Sequence, residues 1–383
     1  MENPKLFDKD LTTVLGVISK NARKIDKGIF PIENIELLKK NKLMSMIMYG
    51  NSQQRKESIL RCSKLVQEIG EHCLSTSMIY GMHCQQLFTL LNIEETPFKK
   101  KLLKSICDNQ SYIASVTSEY GKGGHLLTST SPIEWLNENI ILNRRAPVVT
   151  GGAFADGYLI TMKKSINSNE DDVTLVFAFK DEIQSEVKGK WSSLGMRGTQ
   201  SIPMKFHGIL SEDRVLNSIS FKEIAKFYMI PIGHIMWASS WLGSIKSAFK
   251  RFIRIIRKNK TKRDSEIILS KISEIRLLID TVDIYLKSTI EKFIQYLEED
   301  KSQMDWNSFS IQINNLKIIS SENLYKAINE IVEVSGMYYG YQQIEEINFE
   351  RTLRDLRSAS IMFHNNRLKG INGKLSLFNS EIN

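Results

Sequence analysis

The chain has 383 residues, of which 42% are hydrophobic and 25% charged, and its formal net charge is +9. This is the composition of a globular protein that is long enough for two or three domains or one large composite unit. The sequence contains no apolar run of the length that a membrane-spanning helix needs, and no basic-then-apolar export signal at its N-terminus. A cytoplasmic protein is therefore expected.

The apolar residues of segment 1–110 recur with helical periodicity and predict an N-terminal helical domain. Three of the four cysteines, Cys62, Cys73 and Cys84, are spaced by 11 residues, about three helical turns, and are expected to lie along one helix face. Successive thiols would then be about 16 Å apart, whereas zinc ligands lie within about 2.3 Å of the metal. We therefore expect buried free thiols, no metal site and a reducing compartment.

The middle of the chain, residues 111–215, has a different composition, with ten of the 21 glycines and short apolar segments. Residues 158–162 and 173–179 are rich in strand-forming residues, and the glycine-containing segments 121–124 and 150–157 are typical of turns. This pattern predicts a β domain.

Residues 216–383 predict long helices, because the main helix breakers are scarce there. All seven prolines lie at or before Pro231, and residues 244–335 contain no glycine. The apolar residues of segment 268–297 recur every three or four positions, which predicts one helix of about eight turns. The charged segment 349–367 is predicted to form a single further helix.

One segment of this region, residues 246–263, contains nine basic residues and no acidic one. Apolar residues interleave at helical spacing, which indicates an amphipathic helix with a cationic face. Two interpretations are open: a solvated face, or an anion site for the phosphates of a cofactor or for an acidic carrier. No nucleic-acid-binding motif is recognisable, so nucleic acid is not an expected partner.

Three segments of the predicted β domain combine strands with glycine turns, whose backbone N–H groups could hold a flavin edge or a phosphate. They are 114–124, 146–162 and 188–206, and the first alone is also ordinary turn chemistry. In this order they resemble the acyl-CoA dehydrogenase superfamily, over nearly the whole chain. The family signature Trp-x-x-Leu-Gly-Met-Arg-Gly-Thr-x-Ser is intact from Trp191 to Ser201.

The resemblance implies an α+β fold of the acyl-CoA dehydrogenase type. Its parts would be an N-terminal helical domain (1–110), a middle β-barrel or sandwich domain (111–215) and a C-terminal four-helix bundle (216–383). FAD would lie between the middle domain and the C-terminal helices of a homo-oligomer, either a dimer or a tetramer. The residues implied at the cofactor are Thr117, Ser118, Val149, Thr150, Gly123 and Gly124.

The reaction implied first is α,β-dehydrogenation or oxidation of an acyl thioester, carried by CoA or an acyl carrier protein in a biosynthetic pathway. A carboxylate would remove the α-proton while the β-hydrogen leaves as hydride, with the thioester carbonyl polarised. Most family members carry this glutamate eight residues after an Arg-Asp pair, which is Arg354-Asp355 here. Phe363 holds that place, and the base position of a second subset, near His234, also lacks a carboxylate.

The alternative is a flavin-dependent monooxygenase of the same fold, which uses reduced flavin and O2 with His and Ser residues beside the flavin. His364, His83 and His234 are the candidate catalytic residues. A structural role stays open for each, and His83 lies on an apolar helix that suits a core histidine equally well. A flavin-binding relative without catalysis is a third hypothesis, and the sequence leaves the electron acceptor open.

Overall fold

The computed structural model describes residues 8–49, 55–121, 125–216, 220–299 and 305–378. Helices precede a strand-rich middle region, and helices follow it. The predicted α+β architecture, with a helical N-terminal region, a middle sheet domain and a helical C-terminal region, is therefore confirmed. No helix in these ranges is long and apolar enough to cross a bilayer.

The N-terminal region packs around one helix, α4, which is buried along nearly its whole length because it lies between α3, α7 and the first strand. The helices are α1 (Asp8–Asp26), α2 (Ile32–Lys40), α3 (Arg55–His72), α4 (Leu74–Leu91) and α5 (Pro97–Asn109).

The cysteines do not share one helix, so that expectation was wrong. The chain turns at Cys73, between α3 and α4, and this turn brings Cys62 and Cys84 beside each other. The four cysteines are free thiols; Cys107 is half-buried and the other three are buried. Among the described residues, no group of three metal-ligating side chains is placed to hold a metal ion.

Two four-stranded sheets form the middle domain, in the orders β1-β4-β5-β8 and β2-β3-β7-β6. The predicted strands 158–162 and 173–179 correspond to β4 and β5, which pair antiparallel. The pairing of β3 with β7 shifts register between Ala146 and Val149, which marks a bulge that re-aims the end of β3. The strands are β1 (Ile113–Val116), β2 (Glu134–Leu136), β3 (Asn139–Val149), β4 (Gly157–Lys163), β5 (Val173–Phe179), β6 (Gln184–Val187), β7 (Ile202–Ser211) and β8 (Val215–Leu216).

Long helices build the C-terminal region, as the scarcity of proline and glycine predicts, and the predicted helix over 268–297 is α9. At Gly243 a Cβ would lie 2.0 Å from the Gln67 carbonyl oxygen, so α7 and α3 cross in close contact. The helices are α6 (Phe221–Ile224), α7 (Ile230–Lys258), α8 (Lys260–Arg263), α9 (Glu266–Glu298), α10 (Trp306–Gly336), α11 (Phe349–Leu356) and α12 (Asn365–Ser376), with π-helical turns at Ala225–Met229 and Met337–Tyr341.

The single helix predicted over 349–367 is wrong. α11 ends at Leu356, a run of turns follows, and α12 begins at Asn365. Phe363 adopts a left-handed backbone (φ 48°), and the His364 side chain caps α12 by accepting a hydrogen bond from the Asn366 N–H. The helical periodicity of the sequence does not reveal this break because no proline or glycine marks it.

The cationic segment 246–263 is divided between the end of α7 and α8. Several of its cations are engaged within the chain: Lys250 pairs with Glu71 at 2.7 Å, and Lys246 pairs with Asp283. These ion pairs join α7 to α3 and α9, so part of the cationic face serves to connect helices.

Candidate active site

A cavity of about 630 Å³ lies where the middle domain meets the C-terminal helices, and its size is within the range of about 300–1,000 Å³ that is usual for ligand pockets. We call its two sides the β wall and the helix wall. The β wall contains Ser115, Thr117, Ser118, Leu126, Val148, Thr150, Trp191, Met196, Thr199 and Ser201. The helix wall contains Met229, Ile230, His234, Trp237, Ser358, Ile361, Met362, Phe363, His364 and Arg367, and α4 adds Met78, Met82 and Gln85.

Three hydroxyl groups of the β wall form an ordered chain. Thr199 Oγ1 donates to the Met196 carbonyl oxygen at 2.8 Å, so it has no proton left for Ser201 Oγ, 2.9 Å away. Ser201 must therefore donate to Thr199, and Thr150 Oγ1 must donate to Ser201 across 3.0 Å. The lone pairs of Thr150 Oγ1 remain, so this hydroxyl can accept a hydrogen bond from a ligand N–H.

The indole of Trp191 is held in place because its Nε1 donates to the Met196 carbonyl oxygen at 3.0 Å. Met196 itself has a left-handed backbone (φ 53°). With its only donor engaged, Trp191 offers the cavity an aromatic surface and no hydrogen bond.

The two walls are joined by a seam of backbone contacts. The Met196 N–H donates to the Asp355 carboxylate at 2.5 Å, and a Cβ on Gly195 would lie 2.1 Å from the Arg354 carbonyl oxygen. Arg354 in turn pairs with both carboxylate oxygens of Asp26, at 3.0 and 2.7 Å. Burial raises the pKa of Asp355 to about 6, and the Met196 N–H bond opposes this shift.

The structure brings three of the six residues predicted at the cofactor to the cavity, namely Thr117, Ser118 and Thr150. Val149 does not line it: its side chain is fully buried, and Val148 takes its place in the wall. The bulge at the end of β3 is the physical reason, since it reverses which side chain faces the cavity. Gly123 and Gly124 lie outside the described residues.

His83 is buried away from the cavity. Its Nδ1 accepts the Ile113 N–H at 3.0 Å, so its Nε2 carries the proton and donates to the Met44 carbonyl oxygen at 2.8 Å. Burial lowers the pKa of His83 to about 4. Both ring nitrogens are thus engaged in joining α4 to β1 and to the segment before α3.

His234 and His364 both line the cavity, in different environments. His234 is buried, and its Nδ1 donates to the Ile313 carbonyl oxygen at 3.1 Å; burial lowers its pKa to about 3, so the ring is neutral at pH 7. His364 is exposed, and because its Nδ1 accepts the Asn366 N–H, the proton of the neutral ring lies on Nε2. His364 is therefore the one of the pair whose ring is exposed, with Nε2 not engaged by the bond to Asn366.

None of the described residues that line the cavity is an aspartate or a glutamate. Phe363, at the position where most family members have their glutamate, packs against His234 with ring centroids 5.6 Å apart. The helix wall therefore presents aromatic rings, two histidines and the cation of Arg367, but no carboxylate base.

Sequence reasoning missed several cavity residues. Trp237 is three positions after His234 on α7 and so shares its helix face, a spacing that could have identified it. Thr199 and Ser201 belong to the intact signature and could have been named from it. Gln85 and Arg367 had no comparable signal, because only the packing of α4 and α12 brings them to the cavity.

Comparison with known proteins agrees with this architecture. Residues 228–363 match the family model described as acyl-CoA dehydrogenase, C-terminal domain. No curated protein sequence matches the chain.

Solved structures resemble the whole chain. FMN-bound TdsC from Paenibacillus sp. A11-2, a dibenzothiophene monooxygenase, is 16% identical, with a TM-score of 0.84 over 98% of both chains. Butyryl-CoA dehydrogenase from Megasphaera elsdenii is 16% identical, with a TM-score of 0.82 over 98% of this chain and 100% of that one. The prolyl acyl carrier protein oxidase AnaB is 17% identical, with a TM-score of 0.79 over 96% and 97%. The chain thus has the same fold as these proteins, and residues 228–363 match the acyl-CoA dehydrogenase C-terminal domain model, which confirms the resemblance found in its sequence.

Proposed function

We propose that the protein is a flavin-dependent monooxygenase, an oxidoreductase that uses reduced flavin and O2 to add one oxygen atom to a small organic substrate. The observation that carries this proposal is the contrast within one cavity. The β wall has the hydroxyl and aromatic groups that suit a flavin ring, while the described helix wall has histidine and no carboxylate. TdsC, an FMN-bound monooxygenase with the same fold, supports this choice.

The residues of the β wall fit a flavin. Trp191 offers an immobilised indole surface for stacking, and Thr150 Oγ1 is free to accept a hydrogen bond from a flavin N–H. FAD is the form that the family resemblance implies, and FMN is the form bound to TdsC. Titration of the isolated protein with FAD and with FMN, followed by quenching of flavin fluorescence, decides between them.

When bound, reduced flavin supplies two electrons to O2, so that one oxygen atom enters the substrate, the other leaves as water, and oxidised flavin remains. The chain's own contribution is to orient the substrate, exclude bulk water and move protons. Trp237 and Phe363 form an apolar surface for the substrate, and His364 is the group that donates or accepts a proton at its Nε2. His234, neutral and buried, holds the wall together and does not titrate near neutral pH.

Dehydrogenation or oxidation of an acyl thioester on CoA or an acyl carrier protein is the second candidate. It is favoured by the likeness to butyryl-CoA dehydrogenase and to AnaB. In this reaction His364 would have to replace the missing carboxylate as the base that removes the α-proton. A homo-oligomer, either a dimer or a tetramer, stays a prediction for both reactions.

One experiment separates the two reactions. The flavin-loaded protein is mixed anaerobically with a panel of acyl-CoA and acyl carrier protein thioesters, and separately with chemically reduced flavin, O2 and a panel of aromatic and heteroaromatic compounds. We expect no bleaching of the flavin absorbance in the first arm and an oxygenated product, labelled from ¹⁸O2, in the second. Bleaching by a thioester without O2 would overturn the monooxygenase proposal in favour of the dehydrogenase.

A further inference from the structure

A buried lysine, Lys317, lies on α10 behind the helix wall, and none of its side chain is exposed. Its Nζ donates to Asn365 Oδ1 at 2.6 Å, the one hydrogen bond that the described part of the chain gives this group. An ammonium has three donors, and burying a cation with so few partners is costly. Burial lowers the pKa of Lys317 to about 7, with the Glu322 charge opposing the shift. Packing alone does not account for a lysine at this position.

Asn365, the partner of Lys317, is itself buried and fully engaged. Its Nδ2 donates to Ser321 Oγ and to Glu322 Oε1, each at 3.0 Å, so three residues of α10 hold one amide. Asn365 is the first residue of α12 and directly follows the turn that ends at His364. The network therefore attaches the beginning of α12, and the turn before it, to α10.

The turn needs such an attachment because of its backbone. Phe363 has a left-handed φ of 48°, a conformation that a bulky residue adopts only where its surroundings enforce it. Phe363 and His364 together form part of the helix wall. A loosened turn would move both the aromatic surface and the exposed imidazole.

We propose that Lys317 is a positioning residue that holds the Phe363–His364 turn in the cavity wall through Asn365, without itself contacting what the cavity binds. The anchoring follows from these contacts alone; its importance for turnover rests on the proposed function. α10 supports the other histidine as well, since the Ile313 carbonyl that accepts from His234 lies one turn before Lys317.

The chain offers a matched control for this proposal. Lys369 on α12 reaches the same carboxylate, Glu322 Oε1, at 2.7 Å, but it is half-exposed and makes no described bond to Asn365. Lys317→Met and Lys369→Met therefore each remove one lysine amine from the same network, with and without the bond to Asn365. Methionine fills most of the lysine's volume, so the core around position 317 stays packed.

Amide hydrogen exchange of residues 360–366 tests the anchoring in the protein without flavin. A hydrogen bond contributes about 1 kcal/mol, so its loss should raise the exchange rate of this segment several-fold to about tenfold. We expect this rise in Lys317→Met and a wild-type rate in Lys369→Met. An unchanged rate in Lys317→Met, or an equal rise in both variants, would overturn the proposal.

A second variant covers the case in which Lys317→Met does not fold. Asn365→Ala breaks the same link from the α12 side and should loosen the same segment. In the double variant, Lys317→Met with Asn365→Ala, the exchange rate should equal that of Asn365→Ala alone, because Lys317 acts on the turn only through Asn365. Independent, additive rises would mean that the two residues act separately, against the proposal.

Turnover distinguishes positioning from general support. In Lys317→Met we expect kcat to fall about tenfold and KM for the substrate to rise, while Kd for the flavin stays within about twofold, because the Phe363–His364 turn is displaced and the β wall is not. Equal losses in kcat, KM and flavin binding would indicate general structural damage and contradict positioning. If the wild type oxygenates nothing, the proposed function fails, and the exchange rates still decide the role of Lys317.

Discussion

The two walls of the cavity are built in different ways. In the β wall, hydroxyls and an indole are fixed by hydrogen bonds to the backbone around Met196, and the sequence there matches a family signature without a gap. In the helix wall, a strained turn presents Phe363 and His364, and its anchorage comes from distant residues of α10. The difference teaches that local backbone geometry defines the β wall. The chemistry of the helix wall depends on a few side chains, so a substitution of one of them can change the reaction.

The largest effect should come from the helix wall. If His364 exchanges a proton during turnover, His364→Ala should lower kcat about 100-fold or more, on the usual scale of general acid–base catalysis. Flavin binding should stay unchanged, because the β wall is intact. The measurement is steady-state oxygenation together with flavin titration, and His207→Ala, an exposed histidine on β7, is the control. A wild-type rate would remove His364 from the mechanism.

The next effect concerns the seam between the walls and is a dependence on pH. The pKa of Asp355 is raised from 3.8 to about 6 in the folded chain, so the fold binds this proton more tightly than the unfolded chain does. The stabilisation that the protonated Asp355 gives to the folded chain is therefore at its full value below about pH 4, and it is lost as the pH rises through 6. Asparagine does not titrate.

The stability of Asp355→Asn relative to wild type should thus increase by about 2 kcal/mol between pH 4 and pH 7. Urea unfolding at both pH values measures the difference, and Asp181→Asn, at an exposed position, is the control. A difference between variant and wild type that does not change with pH would show that Asp355 does not hold its proton in this way.

The smallest effect should come from the β wall. Thr150→Val keeps the shape of the side chain and removes the hydroxyl that can accept from a flavin N–H, so Kd for flavin should rise about tenfold. Thr161→Val is the matched control, since this buried threonine of β4 does not line the cavity. Equal flavin affinities in the two variants would show that the Thr150 hydroxyl does not bind the flavin. The assignment of flavin binding to the β wall would then lose this support.

Much of the fold follows from the sequence because its signals are local. Strands β4 and β5 and helix α9 follow from residue composition and period alone. The turn before α12 does not, because it depends on Phe363 adopting a left-handed backbone and on contacts with residues of α10 that are more than 40 positions away from Asn365 in sequence. The cysteines were misplaced for a similar reason, since nothing in the sequence marks the turn at Cys73.

The site was predictable on one side only. Thr117, Ser118 and Thr150 follow from motifs. That Val148 lines the cavity instead of the predicted Val149 does not, because it results from a one-residue bulge that reverses which side chains of β3 point to the cavity. For the catalytic group, the sequence offered three histidines, His364, His83 and His234. Burial and hydrogen bonding then separate His83 and His234, which are held neutral, from His364, which is exposed.

The seam at Gly195 and Met196 has a consequence for how this chain can change over time. The seam joins two motifs that are far apart in sequence. They are the signature that ends at Ser201 and the Arg354-Asp355 pair, and they contact each other in the structure. A side chain at position 195 would collide with the backbone of α11, and no substitution at position 354 could relieve a collision with a carbonyl. Glycine at position 195 is therefore required by the closeness of the two backbones, whatever side chain stands at position 354.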